Sequence, residues 1–295
     1  MRFFLIYLLL LLPTYANAAT YNHDHFNTQP KDIIREFEAY TVSFDSKDDN
    51  NGDNKPDIWG VPEYVAYEIK HYEGSCIPTG PRPSKWMTDA ELHEQGIAPD
   101  DASYAYPKEW RSSHPNWYER GHLCMKMIAE RVSNEAAYNT HYVLNAVPQR
   151  AAFNKGPWED LEEMTAAWAQ RYGDVWIITG PVFKNKTVTD WIGETNKGEL
   201  PVAIPDALYK IVVKNPGIKL DVLAFLYSQE GEAYAKGPFL HEHYLTTVDE
   251  IEKLTGLDFL TDLPDDVERE VESRKAVSLW PVGREDYVEA CGKSN

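Results

Sequence analysis

Residues 154–172 carry the pattern that most constrains this chain. Trp158, Leu161, Thr165, Trp168 and Tyr172 recur at three- and four-residue intervals, the spacing that lines side chains along one face of a helix. Pro157 suits a first helical turn, where its missing N–H costs nothing, and Gly173 suits the stop. Residues 64–72 (YVAYEIKHY) alternate like a strand, and 141–147 (HYVLNAV), 175–179, 208–213 and 220–227 read as further strands. Thr247-Val248-Asp249-Glu250 is a capping box that opens a short helix ending at Gly256. Strands broken by long helical insertions predict an α+β fold, a mainly antiparallel sheet with helices packed on its faces.

The same region is bracketed by residues that carry chemistry. Glu119-Arg120-Gly121-His122 lies upstream, and Asn145, Gln149, Asn154 and Glu162 follow within N-A-V-P-Q-R-A-A-F-N-K-G-P-W-E-D-L-E. Phosphodiester hydrolysis needs a base for the attacking water and stabilisation of charge at phosphorus. His122 offers an imidazole that ordinarily titrates near pH ~6.5, and Gly121 before it is permissive in backbone angle. Asn154 offers a hard, uncharged oxygen that binds a cation without cancelling its charge; near a helix start it also reads as an N-cap. Glu162, eight residues further, projects from the same helical face. The plainer reading of Glu162 is one exposed acid among Glu159, Asp160 and Glu163.

This arrangement resembles the DNA/RNA non-specific endonucleases, whose signature is D-R-G-H, then N-x-x-P-Q, then L-N-x-x-x-W-x-x-L-E. The resemblance extends to YVAY at 64–67, ITGP at 178–181, the I-P-x-A-x-x-K run ending at Lys210, and the stretch from Thr247 to Asp266. It implies a ββα-metal (His-Me finger) core within an α/β/α sandwich, and an endonuclease acting on DNA and RNA without sequence preference. Position by position it implies His122 as general base and Asn154 as ligand of magnesium, with manganese as a substitute. Glu162 would orient the ion's water shell, and Asn145 would hold the histidine's backbone. Arg82 is implied as the arginine on the scissile phosphate, because R-P-S-K-W-M-T-D matches R-x-W-x-T-D with two extra residues. Arg120 and Gln149 join it as nucleic-acid contacts. Three departures stand out: Glu119 for the signature aspartate, Met125 for the usual proline, and Ala166 where relatives carry a second phosphate-binding arginine. Arg111, Arg150 and Arg171 are candidate replacements for that arginine.

Residues 1–18 hold one cation, a short apolar run and an A-x-A end. They predict a secretory signal peptide cleaved near Ala18, hence a secreted or periplasmic protein. The run is too short to span a bilayer, and no membrane association is expected. Residues 19–58 read as an N-terminal extension and 59–295 as one catalytic domain, since no repeat or linker divides them. The chain's formal charge of −18 opposes a polyanionic partner. However, Arg111, Arg120, Lys126, Arg131, Arg150 and Lys155 gather around the proposed site, while acids concentrate at 45–57 and 262–272. Three cysteines in an exported chain predict one bridge. If Arg82 and His122 meet at one phosphate, Cys76 and Cys124 lie near that point, which favours Cys76–Cys124.

In the segment DSKDDNNGDNKPD, Asp49, Asn51, Asp53 and Asp57 alternate with the Lys55 carbonyl like the start of a calcium loop. A solvated acidic linker is the plainer reading, as solvated surface is for His23-Asp24-His25. Competing with the broad nuclease are a DNA-restricted nuclease or small phosphodiesterase, and an exported calcium-binding module with a degenerate nuclease fold. His122, Asn154 and Glu162 together favour catalysis, because a binding module needs no such trio. The oligomeric state is not legible in the sequence.

Overall fold

The computed structural model describes residues 20–26, 33–44, 59–72, 80–105, 117–193, 199–214, 220–230 and 237–288. Its strands are β1 (Ile33–Glu36), β2 (Thr41–Phe44), β3 (Tyr64–Ile69), β4 (Tyr118–His122), β5 (Ala146–Arg150) and β6 (Val175–Val182). They continue as β7 (Trp191–Ile192), β8 (Val202–Ala203), β9 (Ala207–Lys214), β10 (Asp221–Ser228) and β11 (Leu245–Thr246). Seven of them form one sheet in the order β1-β2-β3-β6-β9-β10-β11, and every neighbouring pair is antiparallel. The ribbon β4–β5 and the small pair β7–β8 stand apart from it.

Side chains alternate across a pleated strand, and here the two faces feed two separate cores. On β9, Leu208 and Val212 belong to one core, whereas Tyr209, Ile211 and Val213 belong to the other. Against the first face packs the helix α1 (Glu159–Tyr172), through Leu161 and Trp168. Against the second pack α2 (Val248–Thr255) and α3 (Asp265–Glu272), through Val248, Ile251 and Val271. The result is helix, sheet, helix: the expected α+β architecture with an antiparallel sheet. Each fully buried Leu, Ile or Val side chain contributes roughly 1.5–3 kcal/mol to holding these layers together.

Local signals held where chemistry is local. The Thr247 side chain accepts the Glu250 N–H at 3.1 Å, and Gly256 closes α2 in the left-handed region at φ 78°. Gly173 ends α1 at φ 90°. Other expectations shifted. Residues 143–145 form a 3-10 turn and β5 starts only at Ala146, because the Asn145 N–H bonds back to the Tyr142 carbonyl at 2.9 Å. The helix foreseen from Asn154 opens instead as a wide turn over Asn154–Trp158, with Gly156 outside helical angles (φ −120°, ψ −113°), and regular helix begins at Glu159. Tyr172, placed in the buried stripe, is 39% exposed. Residues 33–44, assigned by sequence to an extension, supply two strands of the main sheet.

The leader at 1–18, the acidic loop with Asp49, Asn51, Asp53 and Asp57, and Arg111, Cys76 and Cys291 lie outside the described residues. Cys124 lies within them and is a free, fully buried thiol, so the Cys76–Cys124 bridge is corrected. Its Sγ faces the Ala39 carbonyl at 3.8 Å, and burial pushes the thiol's pKa well up. His23-Asp24-His25 is not a ligand pair: His23 accepts the Glu68 N–H at 3.1 Å on Nδ1 and bonds the Glu38 carbonyl through Nε2 at 2.9 Å. Among the described residues no helix is long and apolar enough to cross a membrane.

Candidate active site

The site is built on the β4–β5 ribbon. Its register sets His122 opposite Ala146, Gly121 opposite Val147 and Glu119 opposite Gln149. Gly121 is not needed for its backbone angle, since it lies outside the positive-φ residues. It is needed for space: a Cβ there would overlap the Gln149 side chain. Gln149 is therefore buried against the ribbon, with neither amide atom hydrogen-bonded. Expected as a nucleic-acid contact, it is wholly buried and is not among the residues that line the cleft. Asn145, expected to hold the histidine's backbone, bonds the chain two residues beyond it. Its Oδ1 accepts the Cys124 N–H at 2.8 Å, and its Nδ2 donates to the Cys124 and Thr140 carbonyls, both at 2.9 Å. The chain just after His122 is thereby fixed, while Trp158 Nε1 donates to the His122 carbonyl at 3.2 Å.

From β5 the chain passes through the wide turn into α1. The turn presents Asn154, whose Nδ2 donates to Glu119 Oε2 at 2.9 Å, and Lys155 pairs with the other Glu119 oxygen. A carboxylate can only accept, so Glu119 fixes which way the amide faces and leaves Asn154 Oδ1 for another partner. Wide turns of this kind commonly occur at functional sites. One helical stretch further on, Glu162 is 13% exposed and lies 3.8 Å from the Nζ of Lys210, which is wholly buried. Burial pushes the Glu162 carboxyl up to about 7, against the pull of Lys210. The Lys210 ammonium stands 4.3 Å over the Trp158 ring and has no hydrogen-bond partner. Burial pulls its pKa down, with Glu162 working in the opposite sense.

His122, Asn154, Glu162, Arg82 and Arg120 all line one cleft of about 880 Å³. The His122 ring is wedged between Trp86 at 4.6 Å and His141 at 5.2 Å, centroid to centroid. Its Nε2 is buried without a partner. Burial first, then His141, Arg82 and Lys126, holds its pKa well below the ordinary histidine value, so the imidazole is neutral at physiological pH. Arg82 is exposed and makes no ion pair with a described residue. Arg120 is engaged: Nη2 lies 2.8 Å from Asp101 Oδ1, and the guanidinium stacks 5.5 Å from the Tyr104 centroid. Ala166 is buried at 2% exposure, and the two candidate replacements among the described residues do not line the cleft: Arg150 faces Glu230 and Arg171 pairs with Asp286.

Among the described residues, the cleft's lining is not the basic groove that the sequence suggests. Its cations are Arg82, Arg120, Lys126 and Lys155, and it also carries Glu119, Glu130, Glu159, Glu162 and Glu163. Sequence reading missed Trp86, His141 and the functional placement of Lys210. A lysine inside the apolar strand A-L-Y-K-I-V-V was a signal that could have found the last of these.

A ββ ribbon delivering a histidine, followed by a helix delivering an amide and a carboxylate, on an antiparallel sheet sandwiched by helices, defines the ββα-metal nuclease class of fold. Residues 17–266 match the DNA/RNA non-specific endonuclease family, and the chain belongs to it. It is similar to a nuclease of Serratia marcescens, at 29% identity over 248 residues covering 81% of this chain and 79% of that protein. It is also similar to human mitochondrial endonuclease G, at 25% identity over 187 residues, 62% of each. The chain thus spans less than two thirds of the latter's length. In fold it is similar to the crystal structure of the EndoG/EndoGI complex, with a TM-score of 0.60 at 18% identity, covering 83% of this chain and 92% of that one.

Proposed function

We propose that this chain is a metal-dependent endonuclease hydrolysing phosphodiester bonds of DNA and RNA without reading sequence. The meeting of His122, Asn154, Glu162 and an exposed Arg82 in one cleft carries this reading. The residues fit a divalent cation, because Glu119 takes the amide nitrogen of Asn154 and leaves its oxygen available. Asn154 would hold the ion, and Glu162 would accept hydrogen bonds from its water shell. When bound, such an ion polarises the phosphate and stabilises charge on the leaving oxygen. Magnesium suits a site with few protein ligands and several retained waters, with manganese as its substitute.

His122 takes the proton of the attacking water. Because Nε2 is buried, that role falls to Nδ1, and burial keeps the ring in the neutral form that can accept. Asn145 and Trp158 stop the histidine backbone from drifting. Arg82 binds the non-bridging oxygens of the scissile phosphate, and Arg120, already paired with Asp101, contributes less. These contacts address phosphate, which carries no direct sequence information. The apolar leader supports export.

A second reading, restriction to DNA, is favoured by the buried alanine at 166 and the acids in the cleft. Digestion of plasmid DNA and of RNA by purified protein, with magnesium and with chelator, separates the two. Cleavage of both polymers, abolished by chelator, is expected. Refusal of RNA promotes the second reading, and cleavage unaffected by chelator rejects the metal.

A further inference from the structure

On the face of the sheet opposite the cleft, α2 and α3 bring three carboxylates together. Asp249 and Glu252 lie one helical turn apart on α2, and Glu272 is the last residue of α3. One oxygen of each lies within 4.8 Å of the other two. That separation is about twice a calcium–oxygen bond of ~2.4 Å, so one ion fits between them. The charged groups that bear on Glu272 are Glu252, Glu268, Asp249 and Asp258, and all are acids. The nearby Lys253 turns to Glu250, at 3.2 Å.

A cluster of surface acids commonly exists without an ion; Glu272 is what sets this one apart. It is only 7% exposed, and its Oε1 is buried with no hydrogen-bond partner. A buried carboxylate oxygen facing only like charges is unfavourable unless something compensates it. Glu252 is held ready, since its Oε1 accepts the Phe259 N–H at 2.8 Å, which fixes the side chain and leaves further lone pairs.

We propose that Asp249, Glu252 and Glu272 form a structural calcium site that ties α2 to α3. Calcium suits it better than magnesium, because calcium accepts several carboxylates in a flexible shell of six to eight oxygens, whereas magnesium keeps its waters and demands near-ideal octahedral geometry. Water and backbone carbonyls complete the shell. The site is separate from the nuclease cleft and does not depend on how that cleft is read.

The test is a calcium titration of the full chain, followed by thermal unfolding and by calorimetry. At about a hundredfold excess over Kd, calcium should raise Tm by about 5 °C. The rise should vanish in Glu272→Gln and in Asp249→Asn, and should persist in the Asp49→Asn/Asp53→Asn pair and in Asn154→Ala. Without calcium, Glu272→Gln should melt no lower than the parent, because the neutral amide needs no compensating charge. Asp249→Asn, at an exposed position, carries the test should Glu272→Gln fold poorly. A rise that survives both substitutions, no rise and no heat in the parent protein, or an equal response to magnesium in Asn154→Ala would each overturn the proposal.

Discussion

Asn154 donates its side-chain nitrogen to Glu119 Oε2 at 2.9 Å, across 35 residues of sequence. The acid that departs from the family signature thus still reaches the residue assigned to the metal. Because it can only accept, it sets the amide's orientation. Glu119→Ala should therefore weaken the metal by about 10- to 100-fold, in the range seen when residues supporting a ligand are lost. The magnesium concentration giving half-maximal cleavage measures this. An unchanged value would show that the amide needs no such support.

His122→Ala should lower cleavage of a natural diester by at least about 100-fold, the usual loss for a general base, with little change in Tm. Because burial holds the imidazole well below its ordinary pKa, the residue stays neutral and competent through mildly acidic pH. Glu162, pushed up to about 7, gains its proton first as pH falls. The magnesium needed for half-maximal cleavage should therefore rise on going from pH 8 to pH 6. A requirement indifferent to pH over that interval contradicts the assignment of Glu162.

Gly121→Ala should destabilise the protein by about 1–3 kcal/mol, the cost of overpacking, because the new methyl overlaps Gln149. The double change Gly121→Ala/Gln149→Ala should recover much of that loss, a coupling readable in a double-mutant cycle. Strict additivity would remove Gln149 as the reason for the glycine.

Cys124 should resist thiol reagents in the native protein and react only on unfolding, since it is fully buried and its thiolate is disfavoured. Alkylation before and after denaturation, mapped by mass spectrometry, decides the matter. Recovery of Cys124 in a disulfide-linked peptide would restore the bridge rejected above.

Burial, and then the neighbouring Glu252, Glu268, Asp249 and Asp258, pushes the Glu272 carboxyl up to about 8 in the folded protein, against about 4.3 when unfolded. Between those values the unfolded chain has released a proton that the native state keeps, so stability falls as pH rises. The Tm of Glu272→Gln should then gain on that of the parent protein from pH 5 to pH 8 in chelator. A constant difference across that range would deny the raised titration.

Legibility in the sequence followed the range of the forces. The stripe on α1 up to Trp168, the apolar and aromatic runs of β3, β6, β9 and β10, and the cap at Thr247 rest on near neighbours, and these could be read. The trio in the cleft was readable because its spacing is bound to one ribbon and one helix. What escaped rests on distant encounters. Arg120 meets Asp101, Lys210 meets Glu162 under Trp158, and Glu272 meets Asp249 only once two helices dock. The strands β1 and β2, four residues each, are too short to announce themselves by period. Gly121 shows both limits: its identity was informative, but the reason for it lay in a side chain on the neighbouring strand.

The mixed lining of the cleft has a consequence for the order of events. Among the described residues that line it, five carboxyl groups face four cations, so an empty cleft has little net pull on a nucleic-acid strand. A single divalent ion reverses that balance. On the proposed reading, ion and strand do not arrive in random order: the first is an admission ticket for the second. The protein would then stay inert towards nucleic acid wherever free divalent ions are scarce, with no inhibitor, pro-segment or covalent switch required.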